Sequence, residues 1–376
     1  NKKMKVPHEA MLKPNENESF FIFACLLAAL FIKMIISLFF RLTRKITKFI
    51  DLHFHLDGSI TVDIAKKLAK LQNINLEAKN DLELEAKLQV QENCENLNDF
   101  LSCFPLSLSL LQKKEGLRES IRLIAENISS QGVIYAEIRF APQLHQDKGM
   151  SQEDAVKAAL SGLRRIKDCK IPIKVNLILC LMRGNKNQAE NEETLRLAKK
   201  YLVEDGGVVA IDLAGAEALY PTSNYKDIFE KAKKLGIPFT IHAGEADGPE
   251  SVRTAIEIGA RRIGHGTRAY EDKSVVELIK EKGIFLEMCP TSNKQTHAIK
   301  NMKDFPFMDY LKKGIKVTLN TDDMGIEGTT LKREFEYMER KFKLNYEQEK
   351  CILLNSVNAA FTSDKVKGEL KKQLGL

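Results

Sequence analysis

The stretch Ile50–Ile60, IDLHFHLDGSI, places two histidines two residues apart in an apolar run, with an acid and a glycine after them. Alternate side chains of a β-strand point to the same face, so His53 and His55 share one face. Two imidazoles directed at one point suit a metal ion, but such a pair on a half-exposed strand is more often simply a polar face. Further ligands are needed to decide between the two interpretations.

Seven more apolar or β-branched runs follow, and stretches with helical spacing separate them. The eight runs are FIDLHFHL (49–56), GVIYAEIRF (132–140), IPIKVNLILC (171–180), GGVVAIDLAG (206–215), IPFTIHAGE (237–245), RRIGHG (261–266), GIFLEMCP (283–290) and GIKVTLNTDD (314–323). Eight strands that alternate with helices predict an α/β fold, a (β/α)8 TIM-type barrel. Residues 61–130 exceed one crossover and predict a helical insert after strand one, long enough to cover the barrel mouth.

Polar residues gather where the predicted strands end. These residues are His53, His55 and Asp57 after strand one, DLAG (212–215) after strand four, HAGE (242–245) after strand five, His265 after strand six and NTDD (320–323) after strand eight. A barrel carries its chemistry at the C-terminal ends of its strands. Four of the seven histidines therefore face the one functional mouth, which predicts a metal site there.

Ligand chemistry sorts these residues. Neutral imidazoles of His53, His55 and His242 with one carboxylate of residues 321–323 would hold a divalent ion such as Zn²⁺ and leave a position open for water. The ion would lower the pKa of that water toward neutrality. Strand four ends without a lysine that could bridge two metals as a carbamate, so one ion per chain is expected.

The composition is that of a globular protein, with 376 residues, 44% hydrophobic and 29% charged. The net charge of +7 comes from lysines spread along predicted helix faces, which does not indicate nucleic-acid binding. The seven cysteines are an odd number without a C-x-x-C pair, which is typical of reduced thiols. We therefore expect a cytoplasmic protein.

The N-terminal segment has a different character. Residues 20–40, FFIFACLLAALFIKMIISLFF, form an apolar run of about a bilayer's length, and basic residues follow between positions 41 and 48. This predicts a membrane anchor with the catalytic domain facing the cytoplasm. Because the chain begins with Asn1, the sequence is open to two other interpretations, a fragment or a translation from upstream of the true start that never makes the apolar run. A cytoplasmic location is the first expectation, and the membrane anchor is the alternative. The predicted division is residues 1–44 for this segment and 45–376 for a single barrel.

The motifs together resemble one family. HFHLDG, DLAG, HAGE, GHG, CPTSN and NTDD, in this order, are similar to the adenosine deaminase family over about Lys45 to the C-terminus. YAEIRFAPQLH (135–145) is more similar to the adenosine-specific branch than to the adenine or AMP branches. The resemblance implies a zinc-dependent hydrolase of purine salvage. It would convert adenosine, and 2′-deoxyadenosine as well, to inosine and ammonia.

The resemblance also implies a role for each matching residue. The implied zinc ligands are His53, His55, His242 and Asp322. The implied catalytic residues are Glu245, which protonates N1 of the purine, His265, which orients and deprotonates the water, and Asp323, near N7 and the attacking hydroxide. The implied substrate-binding residues are His55, Asp323, Gly215, whose N–H faces N3, and Asp57, near the ribose 5′-hydroxyl. Residues 96–112 would form a hydrophobic lid, although core packing is the alternative for this segment.

Several rival functions stay open. Adenine deaminases, AMP deaminases and amidohydrolases of ring amides would use the same kind of metal site. AMP would need a basic phosphate pocket, whereas Asp57 repels phosphate, and adenine would leave Asp57 without a ribose partner. A non-catalytic, membrane-tethered binding protein is less expected because every family position is filled. Neither the oligomeric state nor the preference for deoxyadenosine follows from the sequence.

Overall fold

All eight predicted strands are present in the computed structural model, which describes residues 46–92 and 94–376. The strands are β1 (Phe49–His55), β2 (Val133–Phe140), β3 (Lys174–Met182), β4 (Val208–Ala214), β5 (Thr240–Ala243), β6 (Arg262–His265), β7 (Phe285–Met288) and β8 (Lys316–Leu319). They form two parallel four-stranded sheets, in the order β1-β2-β3-β4 and β5-β6-β7-β8. Their interiors are almost continuously buried, as parallel strands covered on both faces require.

Single backbone bridges join the two sheets at both seams. Ile211 of β4 pairs with Phe239 beside β5, and Phe54 of β1 pairs with Asp322 just after β8. At the second seam the His55 amide donates to the Asp322 carbonyl over 2.8 Å. The predicted TIM-type barrel is therefore confirmed, with its first and last strands side by side.

Helices alternate with the strands around the outside. They are α1 (Val62–Gln72), α2 (Asp81–Leu88), α3 (Leu97–Leu101), α4 (Pro105–Ser109), α5 (Lys114–Ser130), α6 (Gln152–Asp168), α7 (Gln188–Tyr201), α8 (Lys226–Lys234), α9 (Pro249–Ile258), α10 (Lys273–Lys282), α11 (Pro290–Gln295), α12 (Phe307–Lys312), α13 (Met324–Glu327), α14 (Leu331–Phe342), α15 (Tyr346–Ala359) and α16 (Asp364–Leu374). Short 3₁₀ turns are Asp57–Ser59, Pro142–His145, Thr222–Tyr225, Thr267–Glu271 and Met302–Asp304.

The predicted helical insert after strand one is confirmed as helices α1 to α5. Helix α5 buries a stripe of apolar residues, including Leu117, Ile121 and Ile128. Gly162 of α6 allows α6 to approach closely, because a Cβ there would lie 2.6 Å from Ile121 Cβ. This packing fixes the long helix against the barrel wall and leaves the short helices α3 and α4 at the mouth.

The barrel interior holds charged residues below its mouth. Arg139 donates to Asp212 and to Glu287 over 2.9 Å each. Arg262 donates to Glu137 and to Glu287 over 2.5 Å each. All five side chains are almost completely buried. Buried charges persist only when paired and hydrogen-bonded, and this network meets that condition.

The N-terminal expectation falls outside the described residues. The apolar run 20–40 and the boundary at 44/45 are not among residues 46–92 and 94–376. Within those ranges, the helices are all too short or too polar to cross a bilayer. Residues Thr47–Leu376 pack as one compact unit. The anchor and the division into 1–44 and 45–376 stay predictions.

Candidate metal centre and active site

Side chains from three parts of the barrel mouth converge on one point. His53 and His55 come from β1, His242 from β5, and Asp322 follows β8. The Nε2 atoms of His55 and His242 lie 3.2 Å apart. Asp322 Oδ1 lies 3.3 Å from His53 Nε2 and 3.4 Å from His55 Nε2. The structure thus brings together all four residues predicted as metal ligands.

These spacings suit a tetrahedral ion. An ion with metal–ligand distances of ~2.0–2.1 Å has ligand atoms about 3.4 Å apart. His53 Nε2 is buried and makes no hydrogen bond in the described part of the chain. A buried acceptor without a partner is costly, and a metal ion would satisfy it. Imidazole and carboxylate donors in this number fit one divalent ion.

Carboxylates behind two histidines fix their tautomers. His53 Nδ1 lies 2.7 Å from Glu287 Oε2, and His242 Nδ1 lies 2.9 Å from Asp212 Oδ2. A carboxylate accepts, so each Nδ1 carries the proton and each Nε2 keeps a lone pair for the ion. Burial opposes the charge on Glu287, but the guanidinium groups of Arg262 and Arg139 hold the pKa of that carboxyl well below its usual value.

His265 lies close enough to compete as a ligand. Donor atoms of His53, His242, His265 and Asp322 all lie within 4.8 Å of one another, a grouping in which His265 takes the place of His55. The predicted set with His55 and this alternative set differ only in that residue. The hydrogen bond at Nδ1 of His265 decides between the set with His55 and the set with His265.

The Asn293 amide donates to His265 Nδ1 over 3.0 Å, because the Thr267 hydroxyl donates to its oxygen over 2.7 Å. His265 Nε2 then carries the ring proton and cannot be a ligand. That nitrogen lies 3.4 Å from Glu245 Oε2 and makes no hydrogen bond in the described residues. Burial also lowers the pKa of His265 well below its ordinary value, so the ring is neutral. This tautomer fits the orienting part of the predicted role rather than the deprotonating part.

Two of these residues have unusual backbones. His265 and Asp322 adopt positive φ angles of 62° and 75°. For residues other than glycine this left-handed region costs on the order of 1–3 kcal/mol, and such strain collects at functional sites. Gly264 next to His265 has no room for a side chain, since a Cβ would lie 2.9 Å from His53 Cε1. Sequence patterns carry no direct signal for either strained residue.

Glu217 anchors the loop after β5. Its two carboxylate oxygens accept the backbone N–H groups of four consecutive residues over 2.7–3.0 Å: Gly244, Glu245, Ala246 and Asp247. The Ser251 hydroxyl also donates to it, over 2.6 Å. Both oxygens of Glu217 are occupied by these contacts, so its role is to hold the local structure of the pocket. Glu217 thereby sets the position of the Glu245 backbone.

Glu245 is buried at the cavity wall, with 5% of its surface exposed. Burial raises the pKa of its carboxyl well above the usual value, and the charges of Asp322 and Glu217 add to the effect. A carboxyl in this environment keeps its proton near neutral pH. Glu245 can therefore donate a proton to a bound ligand.

Asp323 is held in place by a glycine and by a second acid. Burial raises the pKa of Asp323 well above its usual value, with further contributions from Asp322 and Asp57. A Cβ at Gly58 would lie 1.6 Å from Asp323 Oδ1, so only glycine fits there. Glu327 accepts the Asp323 backbone N–H over 3.0 Å. Glu327 was not predicted from the sequence as a site residue. The available signal was its position four residues after Asp323.

A cavity of about 230 Å³ contains the predicted substrate-binding and catalytic residues. His55, Asp57, Gly215, Glu245, His265 and Asp323 all line it. Burial raises the pKa of Asp57 to about 6. Gly215 has a φ of 104°, a conformation that favours glycine. His53 does not line this cavity and lies behind the cavity wall, with its Nε2 atom in the ligand cluster.

Helices α3 and α4 supply the apolar side of the cavity. The side chains that line it there are Leu97, Phe100, Leu101, Phe104 and Leu108. The rings of Phe100 and Phe104 pack edge to face with centroids 6.1 Å apart. Among the described residues, the lining of this cavity includes neither lysine nor arginine. The segment 96–112 thus has the position expected of the lid.

Cys289, His145 and His297 lie near the mouth but outside the ligand cluster. Cys289 is buried, burial raises the pKa of its thiol well above the ordinary value, and its sulfur donates to the Glu287 carbonyl. His145 is completely buried, and His297 is exposed. None of the three is positioned as a ligand or nucleophile.

Comparison with known proteins agrees with this geometry. The adenosine deaminase family model matches residues 49–375. This chain belongs to the adenosine deaminase family. It is 47% identical over 322 residues to the adenosine deaminase of Haemophilus ducreyi, covering 85% of this chain and 94% of the relative. It is 39% identical over 323 residues to that of Clostridium perfringens, covering 86% and 96%. The predicted family and its class, hydrolytic and metal-dependent deaminases, are thus confirmed.

Solved structures show the same fold. Adenine deaminase from Arthrobacter aurescens superposes with a TM-score of 0.79 at 24% identity, covering 88% of this chain and 98% of that one. The N6-methyl-AMP deaminase of Arabidopsis thaliana, in its apo form, gives a TM-score of 0.73 at 25% identity, covering 88% and 96%. The barrel is therefore shared by deaminases with different named substrates, and the choice of substrate has to be argued from the cavity.

Proposed function

We propose that this protein catalyses the hydrolytic deamination of adenosine, and of 2′-deoxyadenosine, to the corresponding inosine and ammonia. It would act in purine salvage in the cytoplasm, with one Zn²⁺ per chain. One observation carries the proposal: the buried Glu245 carboxyl and the His–Asp cluster line one cavity, whose lining has neither lysine nor arginine among the described residues. The most similar sequences among those compared above are named adenosine deaminases, which supports the same choice.

The donor set favours zinc over harder ions. His53, His55, His242 and Asp322 would hold the ion, and three imidazoles with one carboxylate suit Zn²⁺ rather than Mg²⁺ or Ca²⁺. A bound ion of this kind supplies a water molecule with a pKa lowered toward neutrality. The remaining chemistry belongs to the side chains of the chain itself.

The proton donor and the water-orienting groups lie on two sides of the reacting carbon. Glu245 gives its proton to N1, which makes C6 of the purine electrophilic. His265, with its proton on Nε2, donates to the oxygen of the attacking water and orients it. Asp323 Oδ1 makes no hydrogen bond among the described residues, so the ionised form of Asp323 can take the proton of the water, and the raised pKa of this carboxyl makes that form a stronger base.

The proton balance closes over one turnover. The proton from Glu245 stays on N1 of inosine. Of the two protons of the water, one leaves with ammonia by way of Asp323, and the other restores Glu245. Each carboxyl therefore returns to its starting state, and a raised pKa suits both because each gains and loses a proton near neutral pH.

The cavity favours a nucleoside over a nucleotide or a free base. A phosphate would need cationic partners, which the described cavity lining lacks, and it would lie near Asp57. Adenine alone would leave the apolar surface of α3 and α4 uncovered. A ribose with an uncharged 5′-hydroxyl matches both the acid and the apolar lid.

The test is ammonia release from adenosine, AMP and adenine in parallel, with a Glu245→Gln variant as control. We expect activity on adenosine alone, and a loss of at least about 10³-fold in the variant, which keeps the shape but cannot donate a carboxyl proton. Equal zinc content in both proteins would show that the metal site is intact. Activity on AMP above that on adenosine would contradict the proposal, as would an active Glu245→Gln variant.

A further inference from the structure

A second cavity lies on the other side of Glu245 from the substrate cavity. It measures about 570 Å³, and Glu245 and Leu97 line both cavities. These two side chains therefore form the partition between them. The second cavity adjoins the loops after β4 to β7 and the N-terminal edge of the lid, residues 96–98.

This second cavity connects buried atoms with the surface. At its inner end Glu217 and Glu245 are 1% and 5% exposed, whereas Tyr270 at its outer end is 41% exposed. Other side chains along it are polar, among them Arg268 and Thr296. A small polar molecule that passed Glu245 could thus reach solvent without crossing the lid.

The position of Glu245 relates this cavity to one end of the purine. If Glu245 protonates N1, then C6 and its departing amino group, which are adjacent to N1, lie beside the partition. The ribose, which is attached to the purine on the side away from N1, would then extend toward the part of the cavity that Asp57, Phe104 and Leu108 line. Ammonia is about the size of water, whereas inosine needs the lid to open. The two products therefore face different ways out.

We propose that ammonia leaves through the second cavity while the lid is still closed over inosine. This inference rests on the proposed deaminase function, since it assigns a route to one product of that reaction. Passage requires a side-chain rotation of Glu245 or of Leu97, the half-buried first residue of α3. Removal of ammonia before inosine also prevents the reverse attack of ammonia on C6.

The test narrows the second cavity without touching the first. Ala298 and Ala246 line only the second cavity and are half-buried. We expect that Ala298→Trp blocks the route, so that one inosine per enzyme forms at the wild-type rate and steady-state turnover then slows roughly tenfold. Quench-flow counting of inosine would show this burst, which the wild type lacks. Ala298→Ser is the size control and should behave as wild type.

The outcomes separate the route from the function. A slowed first turnover with Ala298→Trp would mean that Glu245 itself was disturbed, and Ala246→Leu, which narrows the cavity from the other wall, then decides. Only a variant that forms its first inosine at the wild-type rate counts in this test. If such a variant shows no burst, the exit route is wrong, while the deaminase function stands. A wild type that releases no ammonia from adenosine would instead overturn the proposed function.

Discussion

Some residues at the barrel mouth lie so close to neighbouring atoms that no larger side chain fits in their place. Gly58 is the clearest case, because its missing side chain is the space that Asp323 occupies. Glu327 accepts the backbone N–H of Asp323 over 3.0 Å. The space at Gly58 and the hydrogen bond to Glu327 therefore fix the side chain and the backbone of the same residue.

We predict that Gly58→Ala lowers kcat/KM by about 10²-fold, since misplacing a catalytic group by about 1 Å has effects of that size. The added methyl group would have to push Asp323 aside, because a Cβ at residue 58 lies 2.4 Å from Asp323 Cγ. Steady-state kinetics on adenosine measures the effect. Gly368→Ala is the matched control, because nothing lies within 4 Å of that Cβ. Equal activity of the two variants would contradict the steric argument.

His145 is a residue whose burial has a measurable pH consequence. Its side chain is completely buried and lies outside the lining of the substrate cavity. Neither ring nitrogen makes a hydrogen bond within the described residues, and burial lowers the pKa of the ring to about 4. The unfolded chain has the ordinary value near 6.5. Between these two values the unfolded state binds more protons, so stability falls as pH decreases.

We predict that His145→Leu reduces this acid sensitivity. The wild type should lose on the order of 3 kcal/mol of unfolding free energy from this group between pH 6.5 and pH 4. The variant should not, so its stability relative to wild type should increase as pH falls through that window. Urea unfolding at pH 7.5 and pH 5 measures both proteins. A constant difference between them at the two pH values would refute the assignment.

At the scale of elements, one loop carries the proton donor. The segment between β5 and α9 has no regular structure of its own, and its backbone amides would be unsatisfied without Glu217. The side chain from the β4 loop thus replaces the hydrogen bonds that a helix or strand would provide. Loop geometry and proton donation are coupled through this one carboxylate.

We predict that Glu217→Gln lowers kcat more than it raises KM. The Gln side chain keeps only one accepting oxygen. If its nitrogen replaces Oε1, the Gly244 N–H and the Ser251 hydroxyl lose their acceptor, and if it replaces Oε2, three backbone N–H groups do. Each buried donor left unsatisfied costs about 1–3 kcal/mol, and Glu245 shifts with its backbone. Kinetics and thermal unfolding would be measured together. Glu250→Gln in helix α9 is the control, since that side chain is 78% exposed.

Over the whole molecule, the barrel is joined at its centre by charge rather than by apolar packing alone. Arg262 connects Glu137 with Glu287, and Glu287 connects in turn to His53, one of the proposed metal ligands. A disturbance at the floor of the barrel therefore reaches the mouth. We predict that Arg262→Met destabilises the fold by about 3–5 kcal/mol, because the buried Glu137 loses its counter-charge and Glu287 keeps only Arg139 of its two arginine partners.

The same variant should also bind metal less tightly, since Glu287 without Arg262 would no longer hold the Nδ1 proton of His53 in the same way. Urea unfolding and zinc titration measure the two effects. Arg253→Met is the control, because its partners lie at the surface. A stable Arg262→Met variant with normal zinc affinity would show that the network does not support the site.

The sequence allowed the barrel and the ligand cluster to be predicted because both have periodic or local signals. The eight strands show as apolar runs, and strand ends collect His53, His242 and Asp322. The ionic network could not be predicted, since Arg139 and Glu287 look like isolated charges in apolar runs and their pairing depends on the closed barrel. The choice between His55 and His265 as ligand depends on hydrogen bonds to Asn293, which only the folded geometry contains.

The seam between β1 and β8 has a consequence for synthesis. His53 emerges from the ribosome early, but Asp322 emerges only when most of the chain has been made. The four donor atoms can therefore come together only after translation of the final strand. Cofactor acquisition would then be a late, post-translational event, and newly made molecules would compete for free ions only once their closing strand is in place.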